Sequence, residues 1–443
     1  MTTVTFRPSG PVRGRLRVPS DKSITHRALM IAAVADGDTV VREPLWAADT
    51  RSTAACLRAM GVRMSHTSAG DPAEGDVVVH GRGLDSLQAP RDVLDAGNSG
   101  TTLRLLSGLV AGGDGTFTFD GDASLRRRPM DRVVAPLRAM GVHVEARDGR
   151  LLPLSVRGGA VQAADYTLPV ASAQVKSCVL LAGLHATGLT RVTEPAPTRD
   201  HTERILAAAG ATISREGSTV ALQGRPRLRL AEVKVPGDPS SAAFLAAAAA
   251  MIPGSDLTVT GVGLNPTRMG FFETLREMGT EVEWSRVEGP GDQNAAGSPA
   301  DGEPAGVLRV AFAPLQGVHV PAARVPLMID ELPLLALVAT AAQGETVVEG
   351  AGELRHKESD RLLAIERVLS ALGGHAEIGQ DSFRVLPVRL KGGSVDSRGD
   401  HRLAMLGAVA GLVSRDGVSV TGFETAAVSF PTFQQSLMEV LRQ

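Results

Sequence analysis

The sequence predicts an α/β protein of two domains, each containing three similar units of strands and helices. Three observations support this prediction: a recurring block of sequence, a length of 443 residues, and a composition that is 43% hydrophobic and 21% charged. A chain of this length exceeds one ordinary hydrophobic core, and its composition argues against extended disorder. The recurring block therefore defines the units, and the length of the chain predicts that these units form two hydrophobic cores.

The recurring block consists of a short polar turn, an apolar helical run rich in Ala and Leu, a Gly or Asp, and a β-branched strand. In the first copy, the turn contains Ser23, residues 28–34 form the apolar run, and Thr39-Val40-Val41 form the strand. Six copies occur along the chain: Val18–Val41, Leu94–Phe119, Leu168–Val192, Val235–Val259, Val325–Val348 and Asp396–Val420. Six copies predict three units for each domain.

A second, amphipathic helix lies between successive blocks. The sequence Leu-Arg-Ala-Met-Gly-Val at 57–62 closes this helix and is nearly repeated at Leu137–Val142, with weaker copies ending at Gly210, Gly279 and Gly373. The glycine suits a left-handed helix C-cap, and the residues after it alternate like a strand. Each unit is therefore predicted to run strand, helix, strand, helix and further strand.

The domain boundary is predicted within residues 232–239. The first residues of the chain resemble a strand without its own helix, so a second crossing is predicted near Val18-Pro19. The predicted domains are residues 20–234, and residues 1–19 together with 235–443. Residues 287–306 are rich in Gly, Pro, Asp and Ala and are predicted to be a surface insertion.

Charge and cysteine content exclude several classes of protein. The 46 Lys and Arg residues nearly balance 48 Asp and Glu residues, which argues against a nucleic-acid partner unless the cations are concentrated in one place. Cys56 and Cys178 have no metal-ligand spacing and are typical of buried thiols. The N-terminus has no apolar signal core, and the apolar run 242–252 is shorter than the ~20 residues of a membrane span. We expect a cytoplasmic protein with no membrane partner.

The polar turns of the repeat are candidate anion sites. Each precedes an apolar helix, whose unpaired N–H groups and dipole favour anions. Cations occur in or near these turns, in the segments 20–27, 97–104, 126–129, 171–176, 355–361 and 400–402. Taken singly, each turn is compatible with an ordinary cap and solvated charges. Capping alone does not require Lys or Arg there, so the recurrence predicts a cleft that binds a multiply anionic small substrate.

Carboxylates near these cations are candidates for acid–base chemistry. Asp330 and Glu331 open the apolar segment 332–342, and Glu358 lies between Lys357 and Arg361. An Asp at a helix start is also an ordinary cap, but in a cationic cleft it can serve as a general base. The chain has no phosphate-binding loop, dinucleotide fingerprint or zinc motif. The sequence therefore predicts acid–base group transfer with no cofactor and no metal.

Together these motifs resemble the 5-enolpyruvylshikimate-3-phosphate (EPSP) synthase family along essentially the whole chain. The matching segments are 21–27, 97–101, 128–132, 172–176, 199–203, 265–268, 357–361 and 400–402. The resemblance implies the enolpyruvyl transferase fold, an inside-out α/β barrel of two domains with three βαβαββ repeats each. It also implies transfer of the enolpyruvyl group of phosphoenolpyruvate to the 5-hydroxyl of shikimate 3-phosphate. This step belongs to the shikimate pathway of chorismate and aromatic amino acid biosynthesis.

The resemblance also implies which residues act. It assigns shikimate 3-phosphate to Lys22, Ser23, Arg27, Ser172, Ala173, Gln174, Thr198, Asp330 and Lys357. It assigns phosphoenolpyruvate to Lys22, Asn98, Gly100, Arg128, Gln174, Arg361 and Arg402. The catalytic candidates are Asp330, which would accept the 5-hydroxyl proton, Lys357 or Glu358, which would move the methylene proton, and Lys22.

Three positions depart from the common form of the family and resemble its second, often glyphosate-tolerant branch. The common form has a Lys just before Thr-Phe-Pro, where this chain has Val428 before Ser429-Phe430-Pro431; His201 stands where the common form has Tyr, and Ala173 where it has Ser. Some tolerant members carry Ala in place of Gly100. We expect a monomer, because both walls of the predicted cleft come from one chain.

Two other functions are weighed against this prediction. The UDP-N-acetylglucosamine enolpyruvyl transferases usually carry a cysteine on a mobile loop, and residues 112–128 contain none. A non-catalytic repeat protein that binds RNA or another polyanion is disfavoured by an aromatic content of 3% and a net charge of −2.

Overall fold

The computed structural model describes residues 1–67, 75–286 and 302–442. Residue contacts divide the chain into two compact units. Of the described residues, 20–67, 75–235, 302 and 303 form the N-terminal unit, and 1–19, 236–286 and 304–442 form the C-terminal unit. Most of the predicted surface insertion, residues 287–301, lies outside the described residues. Ala305 and Gly306, which the prediction also included, belong instead to a strand.

The elements of both units follow in chain order. The strands are β1 (Thr3–Phe6), β2 (Arg13–Leu16), β3 (Asp36–Arg42), β4 (Arg63–His66), β5 (Val77–Arg82), β6 (Leu94–Asp95), β7 (Thr116–Asp120), β8 (His143–Arg147), β9 (Leu151–Arg157), β10 (Asp165–Thr167), β11 (Leu189–Thr193), β12 (Ile213–Glu216), β13 (Thr219–Gln223), β14 (Glu232–Lys234), β15 (Asp256–Gly263), β16 (Glu281–Arg286), β17 (Ala305–Ala311), β18 (His319–Val320), β19 (Thr346–Glu349), β20 (Ala376–Ile378), β21 (Ser382–Val385), β22 (Gly393–Asp396) and β23 (Val418–Thr421). The helices are α1 (Lys22–Ala33), α2 (Ala48–Ala59), α3 (Gly100–Leu109), α4 (Asp131–Ala139), α5 (Ala173–Gly183), α6 (His201–Ala208), α7 (Pro239–Met251), α8 (Gly270–Glu277), α9 (Leu332–Ala339), α10 (Arg361–Ala371), α11 (His401–Val413) and α12 (Phe433–Leu441).

The N-terminal unit contains three four-stranded sheets of one design. Their strand orders are β14-β3-β5-β4, β6-β7-β9-β8 and β10-β11-β13-β12. In each sheet the first two strands pair in parallel and the others pair antiparallel. The second and third sheets come from continuous βαβαββ segments, whereas the first sheet takes its parallel edge strand, β14, from the end of the unit.

The C-terminal unit repeats this design with the N-terminus of the chain completing two sheets. The strand orders are β16-β17-β15-β2, β18-β19-β21-β20 and β1-β23-β22. Strand β2 pairs in parallel with β15, and β1 pairs antiparallel with β23. The predicted strand without its own helix is therefore explained, because β1 and β2 join units that lie far along the chain.

In each unit, three apolar helices form the centre of the core. In the N-terminal unit, α1, α3 and α5 are buried along nearly their whole length; in the C-terminal unit, the same holds for α7, α9 and α11. A helix that is apolar all round must be surrounded by other elements. In the strands, buried side chains alternate with more exposed ones: in β5, Val77 and Val79 are buried, whereas His80 is partly exposed. Small residues permit the close helix packing, since a Cβ on Gly108 of α3 would overlap the carbonyl oxygen of Cys178 on α5.

The second helix of the units ends as the sequence predicts. Helices α2, α4, α6, α8 and α10 are each followed by a glycine with positive φ. These are Gly61, Gly141, Gly210, Gly279 and Gly373. A left-handed residue at this position turns the chain from the helix into the next strand, and glycine adopts it without steric cost.

None of the helices in the described ranges is long and apolar enough to cross a membrane.

Candidate active site

The first helix of the N-terminal unit carries three of the predicted site residues. Asp21 caps α1 by accepting a hydrogen bond from the Ile24 amide at 2.9 Å. Lys22 is the first residue of α1, and its Nζ lies 2.9 Å from Asp49 Oδ2. Ser23 follows, and its carbonyl accepts a hydrogen bond from Arg27 at 3.0 Å. Lys22 is thus held by a counterion at the start of a helix, where its ammonium group and the helix amides can meet the same anion.

Arg27 is buried and fixed by hydroxyl groups. Its Nε donates to Thr202 Oγ1 at 2.8 Å and its Nη2 donates to Ser177 Oγ at 2.9 Å. Burial lowers the pKa of Arg27 to about 10, and the Glu203 carboxylate opposes this effect. The guanidinium therefore keeps its charge at neutral pH, in an orientation set by helices α5 and α6.

The N-terminus of α3 gathers a second set of predicted residues. Ser99 caps the helix, accepting from the Thr102 amide at 3.1 Å, and Gly100 is its first residue. Arg128 Nη2 donates to Asn98 Oδ1 at 2.7 Å. A Cβ on Gly100 would lie 2.7 Å from Arg104 Nη1 and 3.4 Å from Arg128 Nη1, so the missing side chain lets two guanidinium groups approach the start of α3.

The N-terminus of α5 joins this set through Gln174. Gln174 Nε2 donates to Thr101 Oγ1 at 3.0 Å, and its Oε1 accepts from Arg104 Nη1 at 2.8 Å. Ser172 caps α5 by accepting from the Val175 amide at 3.4 Å, and Ala173 is the first helical residue. Three helix N-termini, those of α1, α3 and α5, therefore carry the predicted residues of this unit.

Thr198 is the remaining predicted residue of the N-terminal unit. Its hydroxyl donates to Glu194 Oε1, and its carbonyl accepts from Lys176 Nζ at 3.3 Å. Thr198 is thereby tied to helix α5, which also carries Ser172 and Gln174.

In the C-terminal unit, the predicted residues gather around Asp330. This residue lies in a short 3₁₀ turn, Ile329–Glu331, directly before α9. Its Oδ1 is 3.1 Å from Lys357 Nζ and 3.3 Å from Arg361 Nη1, and its Oδ2 is 3.8 Å from Arg402 Nη2. Three cations therefore surround one carboxylate whose side chain is 12% exposed, so the cluster combines positive charge that can attract anionic substrates with a carboxylate that can accept a proton.

Arg361 and Arg402 are held by further carboxylates. Arg361 Nε donates to Asp400 Oδ2 at 2.8 Å, and its Nη2 lies 2.6 Å from Glu358 Oε2. Burial disfavours the charge on Arg361, but Asp400 and Glu358 outweigh it and raise the pKa of the guanidinium. Arg402 Nη1 donates to Glu331 Oε1 at 3.2 Å. Each guanidinium is therefore oriented before any ligand binds.

Comparison with known proteins identifies the family. The family model for EPSP synthase (3-phosphoshikimate 1-carboxyvinyltransferase) matches residues 6–437. The chain belongs to the EPSP synthase family. The 3-phosphoshikimate 1-carboxyvinyltransferase of Acidithiobacillus ferrooxidans is 48% identical over 433 residues, covering 98% of this chain and 96% of the relative. The enzyme of the same name from Thermus thermophilus is 48% identical over 443 residues, covering 99% of each.

Solved structures agree with this assignment. The EPSP synthase of Acinetobacter baumannii is 38% identical, with a TM-score of 0.84 over 99% of this chain and 98% of the other. The enolpyruvyl transferase NikO of Streptomyces tendae is 20% identical, with a TM-score of 0.75 over 98% of this chain and 96% of the other, and shows the shared fold. The predictions of the family, of the enolpyruvyl transferase fold and of an enzyme that transfers an enolpyruvyl group in the shikimate pathway are confirmed, and the two alternative functions are not favoured.

The three positions that depart from the common form of the family lie in helices. His201 is buried at the start of α6, with Nδ1 2.6 Å from Glu303 Oε1. Val428 is the last residue of the 3₁₀ helix Phe423–Val428, and Ala173 begins α5.

Asp49, which pairs with Lys22, was not predicted from the sequence. Arg104, the cation of the predicted turn 97–104, holds Gln174, and Glu331, which follows Asp330, holds Arg402. Asp49 meets Lys22 from another helix, and spacing along one helix does not reveal such a contact.

The two cysteines are buried thiols. Cys56 and Cys178 are free, and burial raises the pKa of each to about 12. A thiol with this pKa is almost entirely protonated at neutral pH, so neither is suited to act as a nucleophile.

Proposed function

We propose that this chain transfers the enolpyruvyl group of phosphoenolpyruvate to the 5-hydroxyl of shikimate 3-phosphate and releases phosphate. The observation that carries the proposal is the set of three cations around Asp330. A carboxylate base held among cations fits a reaction that deprotonates a hydroxyl group of one anion while it attacks another. Membership of the EPSP synthase family supports the same reaction.

In this proposal, shikimate 3-phosphate binds to residues from both units. The N-terminal unit supplies the N-termini of α1 and α5 and the buried Arg27; the C-terminal unit supplies Asp330 and Lys357. The residues from the N-terminal unit are Lys22, Ser23, Arg27, Ser172, Ala173, Gln174 and Thr198. Helix amides and a fixed guanidinium suit a phosphate group, at about 1.5–3 kcal/mol for each charge-assisted hydrogen bond.

Phosphoenolpyruvate is assigned to a second set of groups. Lys22, Asn98, Gly100, Arg128 and Gln174 come from the N-terminal unit. Arg361 and Arg402 come from the C-terminal unit. Arginine binds planar carboxylate and phosphate groups through two parallel hydrogen bonds, which suits both ends of this substrate. Gly100 has no side chain, so the guanidinium groups of Arg104 and Arg128 lie close to the start of α3, where they can meet the same anion as the helix amides.

The reaction follows as addition and elimination. Asp330 accepts the proton of the 5-hydroxyl of shikimate 3-phosphate while the hydroxyl oxygen attacks C2 of phosphoenolpyruvate. The methylene carbon of phosphoenolpyruvate takes up a proton in the same step. The tetrahedral intermediate then loses a proton from the new methyl group and expels phosphate. Lys357 and Glu358 are the candidates for handling the carbon-bound proton; the first contacts Asp330 and the second contacts Arg361.

The experiment that tests this function compares acceptors. Phosphate release is measured with phosphoenolpyruvate and either shikimate 3-phosphate or UDP-N-acetylglucosamine, and RNA binding is measured in parallel. Phosphate release from phosphoenolpyruvate in the presence of shikimate 3-phosphate, but not in the presence of UDP-N-acetylglucosamine, supports the proposal. Turnover with the UDP-sugar alone, or RNA binding without turnover, would overturn it.

We also propose that the protein acts in the cytoplasm as a monomer, because one chain supplies all the assigned residues. Light scattering at the enzyme concentrations used for turnover tests the second point, and an active species with the mass of two or more chains would contradict it.

A further inference from the structure

Helix α5 contains a lysine that the proposed substrate contacts do not use. Lys176 has a fully buried side chain in helix α5. Its Nζ lies 3.0 Å from Glu194 Oε2 and 2.7 Å from Glu203 Oε1, and it donates to the Thr198 carbonyl at 3.3 Å. Glu194 is fully buried and the side chain of Glu203 is 7% exposed. Three charged groups are thus enclosed beside the candidate site.

Stability alone is a poor reason for such a cluster. Moving charges out of water costs free energy that their mutual attraction often fails to recover, and apolar side chains of similar size commonly stabilise a core as well or better. The cluster is therefore better explained by what it holds in place.

Two of the proposed shikimate 3-phosphate ligands depend on this cluster. Thr198 is held at both of its oxygens, because its hydroxyl donates to Glu194 while its carbonyl accepts from Lys176. Arg27 is held by Ser177 and Thr202, which are the immediate sequence neighbours of Lys176 and Glu203. The Lys176–Glu203 ion pair therefore joins α5 to α6 next to the hydroxyl groups that accept hydrogen bonds from Arg27.

We propose that Lys176, Glu194 and Glu203 are positioning residues for shikimate 3-phosphate, which fix Thr198 and Arg27 relative to the N-terminus of α5. None of the contacts described for the cluster involves the groups assigned only to phosphoenolpyruvate, which are Asn98, Gly100, Arg128, Arg361 and Arg402. The inference rests on the proposed function, because it names residues that act through ligands of that reaction.

Lys176→Met is the direct test, measured by steady-state phosphate release. We expect KM for shikimate 3-phosphate to rise about 10- to 100-fold, since small misplacements of binding groups have effects of this size. KM for phosphoenolpyruvate, measured at saturating shikimate 3-phosphate, should stay within about twofold, because its assigned ligands keep their contacts. Glu194→Gln keeps an acceptor for Thr198 and should change KM for shikimate 3-phosphate less than Lys176→Met.

Two further variants keep the test decisive. Lys176→Met/Glu203→Gln removes one charge of each sign, so it should fold even if the single variant does not, and it should show the same selective rise. Leu180→Ala, at a fully buried position of the same helix, matches the loss of stability without touching the cluster and should leave both KM values near wild type.

The outcomes separate this inference from the proposed function. A wild-type protein that releases no phosphate overturns the function itself. A folded double variant with an unchanged KM for shikimate 3-phosphate, or an equal rise in Leu180→Ala, overturns the positioning role while leaving the function intact.

Discussion

Gly100→Ala is the substitution whose effect the structure specifies most closely. An added Cβ would lie 2.7 Å from Arg104 Nη1 and 3.4 Å from Arg128 Nη1. The first contact is too short to persist, but the atom that must move is the end of a flexible side chain. Arg104 would therefore shift away from Gln174, whose Oε1 it holds at 2.8 Å, and the helix itself would stay in place.

The expected magnitude follows from the contacts at risk. Weakening one charge-assisted hydrogen bond costs about 1.5–3 kcal/mol, which corresponds to a rise of roughly 10- to 150-fold in KM for phosphoenolpyruvate. Gly100 does not have a positive φ and begins α3, so alanine should stabilise the helix by about 0.5–1 kcal/mol. The variant should thus lose substrate affinity without losing stability.

The assay combines steady-state phosphate release with thermal unfolding, and Gly108→Ala serves as the control. Gly108 lies on the same helix, but its Cβ would overlap the backbone of Cys178, which cannot move aside. That variant should fall in Tm or fail to fold. This prediction would be contradicted by a Gly100→Ala variant whose KM for phosphoenolpyruvate is unchanged, or whose Tm falls as much as the Tm of Gly108→Ala.

Two further predictions concern titration and thiol reactivity. Burial lowers the pKa of His26 well below 6.5 and also lowers that of His185. Below pH 6.5 these histidines bind protons in the unfolded chain but stay neutral in the folded chain. The free energy of unfolding should therefore keep its full value above pH 6.5 and decrease below it, by up to about 1.4 kcal/mol per pH unit for each histidine. Urea unfolding at pH 7 and pH 5 checks this, and a His26→Gln/His185→Gln variant with an equally steep loss would contradict it. Cys56 and Cys178 should not react with a thiol reagent at pH 8 until urea is added, since burial raises their pKa to about 12; rapid labelling of the folded protein would contradict the structure.

Much of the fold is predictable from the sequence because its repeats are local. The apolar runs predict buried helices, and the five glycines after the second helices predict left-handed caps that the structure contains. The strands that complete the sheets are different. Strand β14 pairs with β3, with Glu232 opposite Val40, and β1 pairs with β23 at the far end of the chain. Strands of three or four residues have little periodicity of their own, and no local pattern specifies so distant a partner.

The candidate site likewise has local features that the sequence predicts and contacts between distant residues that it does not predict. The polar turns predict anion-binding helix ends and their cations, because a cap and its helix are neighbours in sequence. The contacts that orient those cations join separate elements, as Asp49 does for Lys22 and Glu331 does for Arg402. Lys176 illustrates the limit most clearly, since an apolar helix gives no indication that a lysine within it will meet two carboxylates.

Single-turnover kinetics of Asp330→Asn test whether Asp330 acts as the base of the transfer. Enzyme in excess is mixed with shikimate 3-phosphate and labelled phosphoenolpyruvate, and the product is quantified after rapid quenching. We predict a rate at least about 100-fold below wild type, with substrate dissociation constants unchanged or lower, because removing a carboxylate from among three cations favours anions. A single-turnover rate within tenfold of wild type would contradict the assignment.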